Sequence, residues 1–244
     1  NIVKEFQETI VGGKINKIAQ PEPDELLITI KNNKIQYRLL ISASASLPLI
    51  YFTDKNKTSP LTAPNFCMLL RKHIGSGRIA AVTQPDMERA IEFRIEHLNE
   101  LGDPCFKILV VEIMGKHSNI IFCNEDGMIL DSIKHVSGLV SSLREVLPGK
   151  PYFVAHTQDK LDPLTCGPEQ FSAALASRPA PLYKAIYQSY TGISPILAQE
   201  VCHRAGLDGD APTAAFSPRE LEAAFREFRR MMDQVQSGSF APAI

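Results

Sequence analysis

No apolar run in this sequence approaches the roughly 20 residues that a membrane-spanning helix needs, and nothing in it resembles a secretory leader. The five cysteines (Cys67, Cys105, Cys123, Cys166 and Cys202) form no CxxC or other close pair. Their odd number and wide spacing argue against a disulfide framework and against zinc, so a cytoplasmic chain without disulfides or metal is expected. An excess of charge of one sign is also missing. With 26 Lys and Arg against 27 Asp and Glu, the net charge is −1, which excludes overall attraction to phosphate. Any contact with nucleic acid must then come from local patches. The signatures of catalysis are missing too: no GxSxG, no Walker loop, no GxGxxG and no HExxH. The six histidines are scattered without metal-ligand spacing, and Asp103 and Glu112 read as solvated carboxylates among 27. Neither an active site nor a cofactor is expected.

What is present is the composition of a globular protein, 44% hydrophobic and 22% charged in 244 residues. That length suits one large domain or two ordinary ones. The chain begins at Asn1 rather than Met, and its first residues already read as amphipathic helix. It ends at 240–244 on apolar residues that look like the start of a strand, so a fragment of a longer protein is expected.

Periodicity divides the chain. A helix over Val3 to Val11 stops at Gly12-Gly13, a pair suited to the left-handed conformation past a helix end. Strand-like runs follow at Lys14 to Ala19, Glu25 to Lys31, Ile35 to Ser42 and Leu49 to Phe52, with a hairpin turn expected at Asn32-Asn33. A second helix covers Pro64 to Ile74. Strands resume at Ile79 to Gln84, Ala90 to Asn99, Phe106 to Met114, Asn119 to Cys123 and Met128 to His135. After Pro148-Gly-Lys-Pro151 the strand signal fades, and four helices can be drawn at 168–176, 181–190, 194–205 and 217–236. The fold class expected is α+β: a strand-rich domain over 1–150, a linker over 151–161 and an all-helical domain over 162–244.

Four segments carry chemistry. In Met68 to Ile74 the apolar residues share one side, which leaves Arg71, Lys72 and His73 near the helix end. Such cations either complement the helix dipole or contact phosphate. Glu88 and Arg89 precede an apolar strand, either as a solvated ion pair or as an acceptor beside a planar cation that grips unstacked RNA. Gly115-Lys-His-Ser-Asn119 is either a plain hairpin turn or a phosphate and sugar contact set through Lys116, His117 and Asn119. A helix that starts at Gly192 and Ser194 is either ordinary and capped, or an anion site at free backbone amides.

In order, the segments LLRKHIGSGRI, QPDMERAIEF, LVVEIMGKHSNIIF and SSLREVLPGKPY resemble the NFACT N-terminal domain, which opens the bacterial RqcH (fibronectin-binding protein A-like) and eukaryotic NEMF proteins. The resemblance runs through essentially the whole chain. It implies a sandwich like that of formamidopyrimidine-DNA glycosylases, followed by a helix-two-turns-helix-like part on which TGISPILAQEVCHRAGLD is the helix start. It also implies a ribosome quality-control module that binds tRNA and large-subunit rRNA. Such a module recruits alanyl-tRNA to large subunits obstructed by peptidyl-tRNA and supports untemplated alanine tailing. The tRNA-handling Asp-Arg pair of the family falls on Glu88-Arg89, where glutamate keeps the charge and adds a methylene. A second acidic residue of the family would precede Asn1. The glycosylases' catalytic N-terminal proline is not found here, so base excision is not implied.

Two other readings stand beside this one: a surface adhesin for fibronectin or fibrinogen, as the older family name suggests, and a DNA-repair protein of glycosylase architecture. For the RNA reading, Arg71, Lys72, Arg78, Arg89 and Lys116 are expected on or near one face, with a separate phosphate site at Gly192 to Ser194.

Overall fold

The computed structural model describes residues 1–139, 144–154 and 159–240. The strand expected at 240–244, the middle of the 151–161 linker and the start of SSLREVLPGKPY fall largely outside them. The chain packs as two compact units. One is Ile2–Pro85 with Arg89–Ala155; the other joins Asp86–Glu88 to the helical part that follows residue 155.

In the sheet unit, α1 (Ile2–Thr9) buries Phe6 and ends at Gly12, whose φ is +84°. Gly13 follows where a side chain has no room: an added Cβ would lie 2.8 Å from Ile30 Cγ2 and 2.9 Å from the Ile10 carbonyl. Four strands then meander, β1 (Lys14–Glu22), β2 (Glu25–Asn32), β3 (Ile35–Ser42) and β4 (Leu49–Phe52). The β2–β3 turn sits one residue later than expected, on Asn33 and Lys34, whose φ values of 47° and 68° suit the twist of a tight hairpin. Asn32 pairs with Ile35, and its amide donates to the carbonyls of Thr9 (2.8 Å) and Val11 (3.1 Å), which closes the end of α1.

Helix α2 (Asn65–Ile74) returns the chain to the free side of β1. There β5 (Arg78–Thr83) begins a second meander through β6 (Ala90–Leu98), β7 (Pro104–Glu112), β8 (Asn119–Asn124) and β9 (Ile129–Ser132). The α+β class is observed, and the strands join in one antiparallel sheet in the order β4-β3-β2-β1-β5-β6-β7-β8-β9, with the main core shared by its two halves. The reason is that β1 pairs on both sides, so β5 extends its edge instead of starting a new sheet. The junction is narrow, a single pair, Lys14 with Arg78.

Alternation along the strands sorts the core. Leu109 and Val111 on β7 join Phe6, Leu70, Ile28 and Phe93 in the main core, shared by both half-sheets and both helices. Val110 points the other way, into a smaller cluster with Ile121, Ile129 and Val146.

Beyond Ser132 the described residues contain isolated bridges but no strand. The helical unit holds α3 (Pro168–Ala176), α4 (Leu182–Ser189), α5 (Pro195–Arg204) and α6 (Pro218–Gln236). Phe171 is its centre, with ring centroids of Phe228, Phe225 and Tyr190 at 5.1, 5.5 and 5.9 Å. A reciprocal cap between Ser217 and Glu220 starts α6, as the Ser-Pro-x-Glu spacing favours.

Candidate nucleic-acid interface

The sheet unit contains an open cleft of about 820 Å³ built by β1, the end of α2, the start of β5 and the end of β6. Lys14, Lys17, Arg71, Lys72 and Arg78 line it, five cations against one carboxylate, Glu96. Among the described residues no ion pair engages any of the five cations. A cleft lined by one sign of charge focuses its field, so a chain of net charge −1 still presents a locally positive surface.

Two of these cations are held in place by backbone. Arg71 Nε donates to the Ile18 carbonyl at 2.8 Å, which ties the last turn of α2 to β1. Arg78 Nη1 donates to the Gly12 carbonyl at 2.6 Å. The cations of α2 also sit in its last turn, where they complement the helix dipole, so the two readings of that segment are compatible.

Two histidines complete the lining, His73 and His97. His97 faces Cys105 across the β6–β7 ladder. Its Nδ1 lies 3.1 Å from the Leu98 carbonyl, while Nε2 lies 3.1 Å from Cys105 Sγ and 3.3 Å from Lys107 Nζ. Burial lowers the pKa of His97; the Leu98 carbonyl opposes this and the Lys107 ammonium adds to it. Burial also lowers His73, joined by the charges of Lys107, Lys72 and His97, with Glu100 opposing. Both rings are thereby biased to the neutral form.

Of the five cations expected together, Arg71, Lys72 and Arg78 converge. Arg89 and Lys116 do not. Arg89 immediately precedes β6, and its carbonyl accepts from Ile113 N at 2.9 Å. His97 stands eight residues further along, about 26 Å at the rise of a strand. Lys116, exposed like its neighbour His117, lies in the turn after β7, whose terminal Glu112 pairs with Ala90. Arg89 and Lys116 therefore share the opposite end of the sheet. The single patch is two separate groups of three and two. Glu88, half-buried, packs with the helical unit, whereas Arg89 is exposed in the sheet unit.

Three further expectations change. Asn119 is no surface contact: it is 2% exposed, its amide donates to the Lys134 carbonyl at 2.9 Å, and its oxygen accepts from Ile120 N and Lys134 N. Its task is to join the starts of β8 and the 132–135 turn. Glu112 is not solvated but fully buried, bonded to Arg144 and to the Tyr152 hydroxyl. The start of α5 has few amides to offer. Pro195 has none, the Leu197 amide is taken by Ser194 Oγ at 3.1 Å and the Ala198 amide by the Ser194 carbonyl, which leaves Ile196. Gly192, with φ +74°, approaches Met87 instead; an added Cβ would meet the Met87 carbonyl at 2.9 Å.

Sequence reasoning missed Lys14, Lys17 and His97. The alternation of Lys14, Ile15 and Asn16 identifies exposed strand positions, but nothing local says that α2 and β6 bring further cations beside them.

Comparison with known proteins follows the same outline. The family model described as NFACT N-terminal and middle domains matches residues 1–244. The chain belongs to the NFACT N-terminal family. Among curated NFACT relatives, the Rqc2 homolog RqcH of Bacillus subtilis is 38% identical over 226 residues, 92% of this chain and 39% of that protein. The chain thus spans about two fifths of the length of the curated relatives it matches first. The solved N-terminal part of the fibronectin/fibrinogen-binding protein from Streptococcus suis is 30% identical, with a TM-score of 0.79 over 95% of this chain and 81% of that one. The fibrinogen binding protein from Staphylococcus aureus is 26% identical, with a TM-score of 0.77 over 98% and 80%. The NFACT fold described above is therefore shared along nearly the whole chain.

Proposed function

We propose that this chain is the RNA-binding module of a cytoplasmic, ribosome-associated quality-control factor and is not itself an enzyme. The observation that carries the reading is the cleft, five cations against one carboxylate in a chain of net charge −1. Phosphate contacts from such side chains position a nucleic acid without reading its sequence. The ligand is RNA of the large subunit or a tRNA. Arg89, with Glu88 before it, handles tRNA at the other end of the sheet, aided by Lys116 and His117. In the full-length factor the module recruits alanyl-tRNA to large subunits that hold an unfinished peptidyl-tRNA, and so supports untemplated alanine tailing. Residues 1–150 form a glycosylase-like strand-rich domain, 151–161 a linker and 162–244 a helix-two-turns-helix-like domain, with base excision no part of the role.

Sedimentation of the full-length protein with purified large subunits tests this reading. Co-migration that falls when Lys72 is changed to Glu, and tRNA recovery that falls in Arg89→Ala, are the expected results. Arg89→Ala leaves stability within about 1 kcal/mol, as for other exposed positions. Undiminished recovery in both folded variants overturns the assignment of these residues. Glu88→Asp restores the family's Asp-Arg form and keeps activity if the two acids are interchangeable.

A second reading has one observation in its favour: the similar structures from Streptococcus suis and Staphylococcus aureus are described as fibronectin/fibrinogen-binding and fibrinogen binding proteins. Saturable binding of fibrinogen or fibronectin at physiological salt, unaffected by Lys72→Glu, would favour an adhesin.

A further inference from the structure

We propose that the junction of the two half-sheets is a phosphate clamp: one phosphodiester of the bound RNA bridges Lys14 and Arg78 and thereby holds β1 and β5 together. This inference rests on the RNA-binding reading above and adds a place and a mechanical consequence to it.

The junction is weak by construction. Every other pair of neighbouring strands meets over at least three residue pairs, but β1 meets β5 at the single pair Lys14 and Arg78. Three backbone hydrogen bonds support it: Gly12 N to the Ile79 carbonyl (2.8 Å), Ile15 N to the Gly77 carbonyl (2.8 Å) and Ile79 N to the Gly13 carbonyl (2.9 Å). The residues paired there carry the same charge. Directly opposed side chains project from the same face, and like charges in that relation oppose the pairing. Glu96 stands across from Arg78 on its other side, in β6, and offsets part of the repulsion without forming an ion pair with it. Lys14 is exposed and has no acidic partner within ion-pair distance among the described residues.

The backbone here is also too crowded for packing to make up the difference. A Cβ on Gly77 would lie 2.7 Å from Ile95 Cγ2 and 2.9 Å from the Glu96 carbonyl, and Gly13 is similarly confined. Side chains cannot thicken the joint, but an anion above it can neutralise it. Lys14 and Arg78 both line the cleft, and the hydrogen bond from Arg78 Nη1 to Gly12 holds the guanidinium at the junction. The two non-bridging oxygens of a phosphodiester accept from an ammonium and a guanidinium at once, and such charge-assisted bonds are the stronger kind. A ligand that binds the closed junction and not the opened one shifts that equilibrium toward closure.

Amide hydrogen exchange on the whole chain reads this directly, because Gly12, Ile15 and Ile79 report the junction while Val110 and Val111 on β7 report the sheet elsewhere. With an oligoribonucleotide at ten times its Kd, the three junction amides are expected to slow by about tenfold, the β7 amides remaining unchanged. Inorganic phosphate alone gives the same protection at higher concentration. Lys14→Glu turns the repulsive pair into an attractive one: its junction amides exchange more slowly than wild type without ligand and gain no further protection from RNA. Lys14→Gln lies between, with slower exchange than wild type in the free protein. Normal salt-dependent RNA binding without junction protection overturns the clamp and leaves the RNA-binding reading intact. Absence of RNA binding by the wild-type protein overturns the reading on which the clamp rests. Protection by phosphate and not by RNA would make the site one for free phosphate, and faster exchange in Lys14→Gln would show that the pair is not repulsive.

Discussion

The carboxylate of Glu112, at the end of β7, receives the guanidinium of Arg144 from a segment 32 residues further along the chain. Glu112 is fully buried and the Arg144 side chain is 10% exposed, so the pair is nearly dry. The Tyr152 hydroxyl donates to the other carboxylate oxygen at 3.0 Å, and Arg144 also donates to the Phe153 carbonyl. Burial first, then the Glu112 carboxylate, pushes the Tyr152 phenol well up, which keeps it a donor. The network fastens the 144–153 segment over the outer face of β7 and β8.

Breaking this pair on one side strands a buried charge. Glu112→Gln and Arg144→Ala are each expected to cost about 3–5 kcal/mol, and Tyr152→Phe about 1 kcal/mol. Because the partners touch, the double variant Glu112→Ala, Arg144→Ala should cost clearly less than the two single alanine changes together. Denaturant unfolding measures all of these. Strict additivity would show that the two side chains are not energetically coupled.

The thiols differ by their surroundings. Cys67, Cys123, Cys166 and Cys202 are buried, and burial raises each, Cys123 to about 12 and Cys202 to about 11. Cys105 is half-buried, with its sulfur 3.1 Å from His97 Nε2, so it is the cysteine a reagent reaches most readily. A thiol reagent should find one fast site in the native protein, abolished in Cys105→Ser, and all five cysteines after denaturation. A fast site that survives Cys105→Ser would contradict the assignment.

The two histidines of the cleft make stability depend on pH in a definite direction. Both have folded pKa values below the ordinary 6.5, His97 through burial and Lys107, His73 through burial, Lys107 and Lys72. As pH falls through 6.5 the unfolded chain takes up protons at these positions before the folded one does, so stability declines from there down to the folded values. Above 6.5 both states are neutral at these sites and the contribution is constant. Thermal midpoints measured between about pH 7.5 and 5.5 should fall less in the His73→Asn, His97→Asn double variant than in wild type. Saturating RNA should reduce the fall, since an anion in the cleft favours the charged rings. A fall of equal size in variant and wild type would assign the effect to other groups.

The elements themselves are legible in the sequence because their signals are local. Ile35 to Ser42 and Leu49 to Phe52 are the observed β3 and β4, and 168–176 is the observed α3. The β2–β3 turn falls one residue from its expected place because Asn32, a good turn former, is used to close α1 instead. The site is legible only in part. Arg71 and Lys72 stand out as cations at a helix end, but Lys14 and Lys17 look like any exposed strand positions until β5 closes beside β1. Asn119 fails as a surface contact because a polar residue in a polar turn gives no sign that its amide bridges two backbone segments. Glu112 fails for the corresponding reason, since its partners Arg144 and Tyr152 meet it only through tertiary structure.

The separation of the basic residues into two groups has its own quantitative consequence. Lys72 belongs to the cleft, and Lys116 belongs to the far end of the sheet with Arg89. Both lysines are exposed, so charge reversal should leave the fold intact. Counterion release makes the salt dependence of RNA affinity a measure of how many phosphates the protein neutralises, and each phosphate left without its cation lowers the slope by roughly 0.7–0.9. Sites more than about 10 Å apart with no shared partners behave independently. Lys72→Glu and Lys116→Glu should therefore each reduce the magnitude of the slope, and the double variant should show the sum of the two reductions. On one continuous patch the second change would act where binding is already weakened, and the reductions would not add. A full effect from Lys72→Glu with none from Lys116→Glu would confine RNA to the cleft. The reverse result would move the interface to the Arg89 end and leave the cleft without an RNA ligand.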